Sequence, residues 1–215
     1  MGNERVGEHD GRPWVSGVIL AAGASRRLGR PKQLLDLGGE PLLRRTVRNA
    51  MDSTLVEVLL VLGSRANEIA ASVGDLGQRT VINPRFAVGQ STSVLAGIGA
   101  VAPDADAILI MLGDQPLVTE AALSRIVGRF RGGGVSIVQA TYDGTPGNPV
   151  LFNRSLFAEL LAVTGDEGAR RVVRRHGAVV IGVEVGDVAD VIDVDTEADY
   201  VHLLKRWGRR AGSSS

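Results

Sequence analysis

Cysteine is absent from the 215 residues. Disulfides, thiolate metal sites and cysteine nucleophiles are therefore excluded. Net charge is absent as well: 24 Lys and Arg balance 24 Asp and Glu, which argues against a nucleic-acid or anionic-membrane surface. No apolar run reaches the roughly 18 to 20 residues of a membrane span, and the polar start MGNERVGEHDGRPW has no apolar signal region. A soluble cytoplasmic protein is expected. His9, His176 and His202 are scattered without ligand spacing, and Trp14 and Trp207 stand near the two ends as peripheral packing. Lysine is scarce too. Only Lys32 and Lys205 occur, the other basic residues being Arg. A compact ammonium suits a phosphate oxygen, which singles out Lys32.

What is present is an alternation of short buried runs and helical patterns, with 44% apolar residues to build a core. Runs 15–21, 56–62, 80–83, 107–112, 135–140, 178–184 and 191–194 read as strands. Stretches 41–51, 65–73, 92–101, 119–130, 154–162, 167–175 and 197–207 read as helices, with Thr119 a candidate N-cap. The glycines at 132–134 are expected to end the helix before them. This pattern predicts an α/β fold with a mostly parallel sheet covered on both faces. The length suits one domain, residues 15–208, between tails at 1–14 and 209–215.

In such sheets ligands sit beyond the carboxyl ends of the strands. The loop LAAGASRRLGRPK, residues 20–32, follows the first strand directly. Leu20, Ala21, Ala22 and Gly23 lead into it, and small residues allow close backbone approach to a nucleotide. Arg26, Arg27, Arg30 and Lys32 then place four cations within seven positions. Positioned cations and N–H groups are what transfer from a triphosphate requires. The loop is neither a GxxxxGK[ST] nor a GxGxxG motif. A flexible basic turn is the plain alternative, but it leaves the position of the cluster unexplained.

The segment LAAGASRRLGRPKQLL, followed in order by NPRFAVGQSTSVLAGI, MLGDQPLV, GTPGNPVLF, GDEGARRVV and VIDVDTEADY, resembles the molybdenum cofactor cytidylyltransferases. These belong to the molybdopterin nucleotidyltransferase (MobA-like) family. The resemblance spans roughly residues 15 to 205. It implies a Rossmann-like three-layer sandwich of the nucleotide-diphospho-sugar transferase type, with a mostly parallel central sheet. It also implies transfer of CMP from CTP to the phosphate of molybdopterin, with release of pyrophosphate. A transient contact with a molybdenum hydroxylase apoenzyme is the protein partner it implies. Among relatives, LAAG accompanies cytidine use and LAGG guanosine use, so Ala22 favours CTP.

Asp114 ends the strand AILIML, and a carboxylate there either begins a turn or holds Mg²⁺. Mg²⁺ takes one or two carboxylates together with phosphate oxygens and water, and the resemblance assigns the matching Asp to the metal. Asp193 is the expected second ligand. Asp195, next to Thr196, is expected to cap the final helix. Asn83 and the loop Gly89-Gln90-Ser91-Thr92-Ser93 resemble the segment that lies against base and ribose, with Asn83, Gly89, Ser91 and Ser93 the expected contacts, although Ser91 or Thr92 would also make an ordinary N-cap. The acceptor half is expected to use Gly144 to Pro149 and Gly165 to Arg171, with Gly147, Asn148, Pro149 and Arg170 as the contacts. Asn148 stands where many relatives carry His, which removes a titrating group from that position.

Arg26, Lys32 and Asp114 are thus the expected catalytic residues. Two rival readings remain open. One is a nucleotidyltransferase for a sugar phosphate or methylerythritol phosphate. The other is a non-catalytic molybdopterin-binding accessory protein or chaperone, against which Lys32 and Asp114 argue.

Overall fold

The computed structural model describes residues 12–130 and 136–212, with side chains through residue 209. Its strands are β1 (Val15–Leu20), β2 (Glu57–Leu62), β3 (Arg79–Ile82), β4 (Ala107–Leu112), β5 (Ile137–Tyr142), β6 (Thr145–Asn153) and β7 (Val180–Glu184). Its α-helices are α1 (Leu42–Met51), α2 (Ala66–Val73), α3 (Gln90–Ala100), α4 (Glu120–Arg129), α5 (Phe157–Leu161), α6 (Arg170–Arg175) and α7 (Glu197–Gly212). Among the described residues the strands form one sheet in the order β3-β2-β1-β4-β6-β5-β7. Only β6 runs antiparallel to its neighbours. The sheet is mostly parallel, as expected.

Period-2 alternation divides the core. Val15, Ile19, Leu60, Leu62 and Leu109 point to one face and pack with Leu43, Val47, Ile69 and Ile126 of α1, α2 and α4. Val18, Leu20, Leu59, Val61, Ile108 and Ile110 point to the other and meet Val94, Ile98 and Val172 of α3 and α6. Successive strand residues bury opposite faces, so nearly continuous apolar runs make a three-layer sandwich. A third, smaller cluster (Leu35, Leu37, Leu42, Leu117, Val194 and Leu203) seats α7 beside the loop after β1.

Several expectations are corrected. The segment containing GTPGNPVLF forms β6, a strand absent from the sequence reading. Its prolines argue against a strand, but β4 pairs β6 only from Val150 onward, so Pro146 and Pro149 lie beyond that ladder. Residues 191–194 form no strand. Their apolar alternation is satisfied because Ile192 and Val194 pack under α7. That helix continues through residues 209–212, which were expected to be tail. Trp14, also assigned to a tail, is tied to the sheet: its backbone N–H donates to Asp106 Oδ2 at 2.8 Å. The helices expected at 154–162 and 167–175 are shorter, α5 and α6 with short turns around them. The glycines at 132–134 and the strand start at Val135 lie outside the described residues.

No helix among the described residues is long and apolar enough to cross a membrane.

Candidate functional site

Parallel pairing of β1 with β4 sets Leu20 opposite Leu112. The loop after β1 and the turn after β4 therefore leave the sheet side by side. Gly113 N–H donates to Leu20 O at 3.0 Å, and Ala21 N–H to Val61 O at 2.9 Å. Gly113 has no alternative here, because a Cβ would stand 2.7 Å from that of Ala21.

Buried Gln33 shapes the loop. Its amide donates to Ala21 O at 2.9 Å and Gly23 O at 3.1 Å. Ser25 Oγ accepts the Lys32 backbone N–H at 3.1 Å. These bonds fold residues 21–33 back on themselves and aim Lys32 at the end of β4. Lys32 Nζ lies 2.5 Å from Asp114 Oδ2 and 3.0 Å from Asp195 Oδ1. Arg27 holds the other oxygen of Asp195 at 3.1 Å. Farther out, Arg30 makes two bonds, 3.0 and 2.9 Å, to Glu197. Arg26 is exposed, and among the described residues its guanidinium has no ion-pair partner.

Burial pushes the Asp114 carboxyl up, the adjacent Lys32 brings it down and the negative charge of Asp193 raises it, so that on balance it lies above the ordinary carboxylate value. Burial opposes the Lys32 charge, but Asp114 and Asp195 together hold its ammonium above the ordinary lysine value. Removing either partner would leave a charge with little solvent.

Two clefts adjoin at this strand end. The first, about 560 Å³, is lined by Leu20, Ala21, Ala22, Gly23, Arg26 and Lys32 on one side. Gly89, Ser93, Asp114, Asp166 and Asp195 complete it. The second, about 690 Å³, has an apolar floor that includes Ile110, Val150 and Phe152. Gly147, Asn148 and Arg170 are on its wall, with Gln139 and Arg174. Leu20, Gln90 and Leu112 line both.

Four of the expected site residues line neither cleft. Asn83 is buried and donates to Thr92 Oγ1 at 2.9 Å and Ser93 Oγ at 3.0 Å, pinning the start of α3 from behind. Ser91 is buried, its backbone N–H held by Gly165 O at 3.0 Å. Pro149 faces a small space beside Thr46 and Met111. Asp193 accepts the Gln115 amide at 2.6 Å. Asp195 does not cap α7. Thr196 does, in a reciprocal pair: Asp199 N–H donates to Thr196 Oγ1 at 3.3 Å, and Thr196 N–H to Asp199 Oδ2 at 2.8 Å. This is the geometry of a capping box, and it frees Asp195 to face the cations.

The family model for the MobA-like NTP transferase domain matches residues 17–179. The chain belongs to the MobA-like NTP transferase family. It is 33% identical over 199 residues to nicotine blue oxidoreductase of Paenarthrobacter nicotinovorans, covering 89% of this chain and 97% of that protein. It is 27% identical over 195 residues to the molybdenum cofactor cytidylyltransferase of Escherichia coli (strain K12), covering 88% and 95%. The crystal structure of Rv0371c from Mycobacterium tuberculosis H37Rv in complex with manganese superposes with a TM-score of 0.77 at 32% identity, covering 89% of this chain and 98% of that one. The fold is that of the nucleotidyltransferases, and the chain is a member of a nucleotidyltransferase family whose members carry differing names.

This MobA-like chain has a donor set that fits a divalent cation. Asp114 feels the negative charge of Asp193, a repulsion that a hard cation near both would relieve. All available donors are oxygens, as Mg²⁺ or Mn²⁺ prefers. Among the described residues no cluster of three or more such side chains holds a metal unaided, so phosphate oxygens and water would supply the remaining positions. Sequence reasoning missed Gln33, and it named the loops that carry Gln90 and Asp166 without singling out either residue. Gln33 stood beside Lys32, but its role depends on a loop conformation that the residue order does not state.

Proposed function

We propose that the protein transfers CMP from CTP to the phosphate of molybdopterin and releases pyrophosphate. The observation that supports this most is the pair of adjoining clefts, one rimmed by cations and small residues, the other apolar-floored with polar walls. A donor triphosphate suits the first and a largely uncharged heterocyclic acceptor bearing a phosphate suits the second. Resemblance to the Escherichia coli cytidylyltransferase supports the choice of acceptor, and Ala22 supports CTP.

In this reading Gly23 and the loop backbone receive the triphosphate, and Arg26 and Lys32 neutralise it. Lys32 exchanges Asp114 and Asp195 for phosphate oxygens. Asp114 and Asp193 would hold Mg²⁺, which when bound offsets phosphate charge and orients the oxygens. An acceptor phosphate oxygen attacks the α-phosphorus in line, and pyrophosphate departs with the bonding electron pair. The acceptor phosphate is already ionised near neutral pH, so no general base is needed, consistent with Asn148 in place of a His. Gly147, Asn148 and Arg170 position the acceptor, while Asn83 and Ser91 keep the start of α3 in place for Gly89 and Ser93 to meet the nucleoside.

A second reading is favoured by one observation, the similarity to a protein named as an oxidoreductase of nicotine blue. A planar heteroaromatic would also suit the apolar-floored cleft. One experiment separates the two: pyrophosphate release measured for CTP, GTP, ATP and UTP crossed with molybdopterin, sugar phosphates and methylerythritol phosphate, alongside reduced-nicotinamide oxidation with nicotine blue. CTP with molybdopterin should give the highest Mg²⁺-dependent rate. A higher rate with another pair, or dye-dependent oxidation without pyrophosphate release, overturns the proposal.

A further inference from the structure

The two clefts share three residues. Leu20 and Leu112 are hydrocarbon, so Gln90 is the one polar side chain that both clefts have in common. Other glutamines near the site are committed to the protein. Gln33 donates to Ala21 and Gly23, Gln115 to Asp193, and Gln139 to Gly147 O at 3.1 Å. Gln90 differs: its backbone N–H meets Asp166 Oδ1 at 3.4 Å, and among the described residues no protein group bonds its side-chain amide. A half-buried amide that no protein group engages, at a seam between two ligand-sized spaces, is open to bond a ligand placed there.

Its position is fixed by its surroundings. Gln90 opens α3, directly after Gly89 at φ +139, where a Cβ would stand 2.8 Å from Asp166 Oδ1 and 2.9 Å from the Gly165 backbone. The amide end lies over Gly168, where a Cβ would stand 3.2 Å from Oε1. Gly168 thus clears the space that the side chain occupies, Gly89 lets residues 165 and 166 close on the start of α3, and α3 anchors the base of Gln90.

The chemistry at the seam defines the task. Transfer brings two phosphates together, and both are anionic. The cations lie to either side: Arg26 and Lys32 in one cleft, Arg170 and Arg174 in the other. An amide carries two N–H donors, no charge and no titration near neutral pH. It can bond a non-bridging oxygen of each phosphate at once.

We propose that the side-chain amide of Gln90 is a catalytic group that bridges the donor α-phosphate and the attacking acceptor phosphate across the seam. This rests on the transfer reading above. One acceptor O–P bond forms, the bond from the α-phosphorus to pyrophosphate breaks, and pyrophosphate keeps the electron pair. Gln90 neither gains nor loses a proton. Its bonds shorten as charge moves onto the α-phosphate oxygens, so it acts on kcat rather than on ground-state binding.

The test uses the full chain with CTP, Mg²⁺ and molybdopterin. Gln90→Leu and Gln90→Met remove the donors at similar volume, and Gln90→Glu places a negative charge at the seam. Leu and Met variants should bind CTP and molybdopterin within about threefold of wild type by fluorescence titration. Their kcat should fall about 30-fold or more, toward the loss known for removing one preorganised donor. The Glu variant should fall further. Melting curves and retained CTP binding report folding, and Gln90→Met replaces Gln90→Leu if the latter is unstable. A kcat within twofold of wild type in either neutral variant overturns the proposal. So does a loss confined to CTP or acceptor binding, which would make Gln90 a wall residue. A wild-type protein that releases no pyrophosphate with molybdopterin or any sugar phosphate overturns the transfer reading itself, and this role with it.

Discussion

The ammonium of Lys32 lies 2.5 Å from one oxygen of Asp114, although 82 residues separate the two in the chain. The contact joins the loop after β1 to the end of β4, and it places a cation beside a mostly buried carboxylate. Lys32→Ala and Asp114→Ala should each lower kcat by about 10² to 10³, the range for losing one preorganised charged contact. Residues that act as a unit lose little more when both are removed. The double variant should therefore be nearly as active as the worse single one. A double loss equal to the product of the single losses, in pyrophosphate-release assays, would show that the two act independently.

Asp193 and Asp195 stand two residues apart but have different partners. Asp193 takes the Gln115 amide, and Asp195 takes Lys32 and Arg27. Asp193→Ala should raise the Mg²⁺ concentration for half-maximal rate about tenfold, as loss of a metal contact does. Asp195→Ala should leave that concentration unchanged and alter the KM for CTP, since the side chain competes with triphosphate for the same cations. Metal titrations of both variants decide the matter, and the reverse pattern would assign the metal to Asp195.

Ala22 is buried, and its methyl group crowds Gly63 near Phe86: a Cβ on Gly63 would stand 2.9 Å from it. Ala22→Gly should enlarge the nucleoside end of the first cleft. One methyl group in a pocket is worth roughly 10- to 200-fold in discrimination. The ratio of kcat/KM for GTP over CTP should rise about tenfold, and an unchanged ratio would detach Ala22 from base choice.

Glu184 clamps the β5–β6 turn to the end of β7. Its carboxylate accepts the backbone N–H groups of Gly144 and Gly186, then the Thr141 hydroxyl and the Asp143 N–H, which hold it down at about 2 against an ordinary 4.5. A carboxyl lowered on folding stabilises the protein fully above its unfolded value, and that stability is lost as pH falls through the folded one. Urea midpoints of wild type and Glu184→Gln should differ by a constant amount from pH 8 to 5. They should then converge between pH 4.5 and 2. A gap that persists undiminished at the lowest pH would place the clamp's strength elsewhere.

The parallel core was legible because strands buried on both faces read as unbroken apolar runs, as in VSGVIL and AILIML. The strand-end position of the loop at 20–32 and of Asp114 followed from the same runs. β6 was not legible, since Pro146 and Pro149 mimic a loop and only the register with β4 shows them lying past the ladder. The segment 191–194 misled in the opposite direction: alternating Val and Ile residues signal a strand, yet here they bury against α7. The difference between Asp193 and Asp195 was hidden for a related reason. With Thr196 and Asp199 closing the cap between themselves, Asp195 points back toward residues more than 160 positions earlier, a pairing that local spacing cannot state.

The seating of α7 bears on how the protein is made. Tyr200 donates its hydroxyl to Asp36 O at 2.6 Å, and the Trp207 ring lies under Arg45 and against Gly38. Together with the bonds from Asp195 and Glu197, these contacts come from a segment that leaves the ribosome some 160 residues after the loop it braces. The sheet can assemble from residues 15–184 while the loop still lacks the ionic partners that Asp195 and Glu197 supply. During synthesis, then, the loop at 20–32 gains the last of its bracing contacts only when the final helix has left the ribosome.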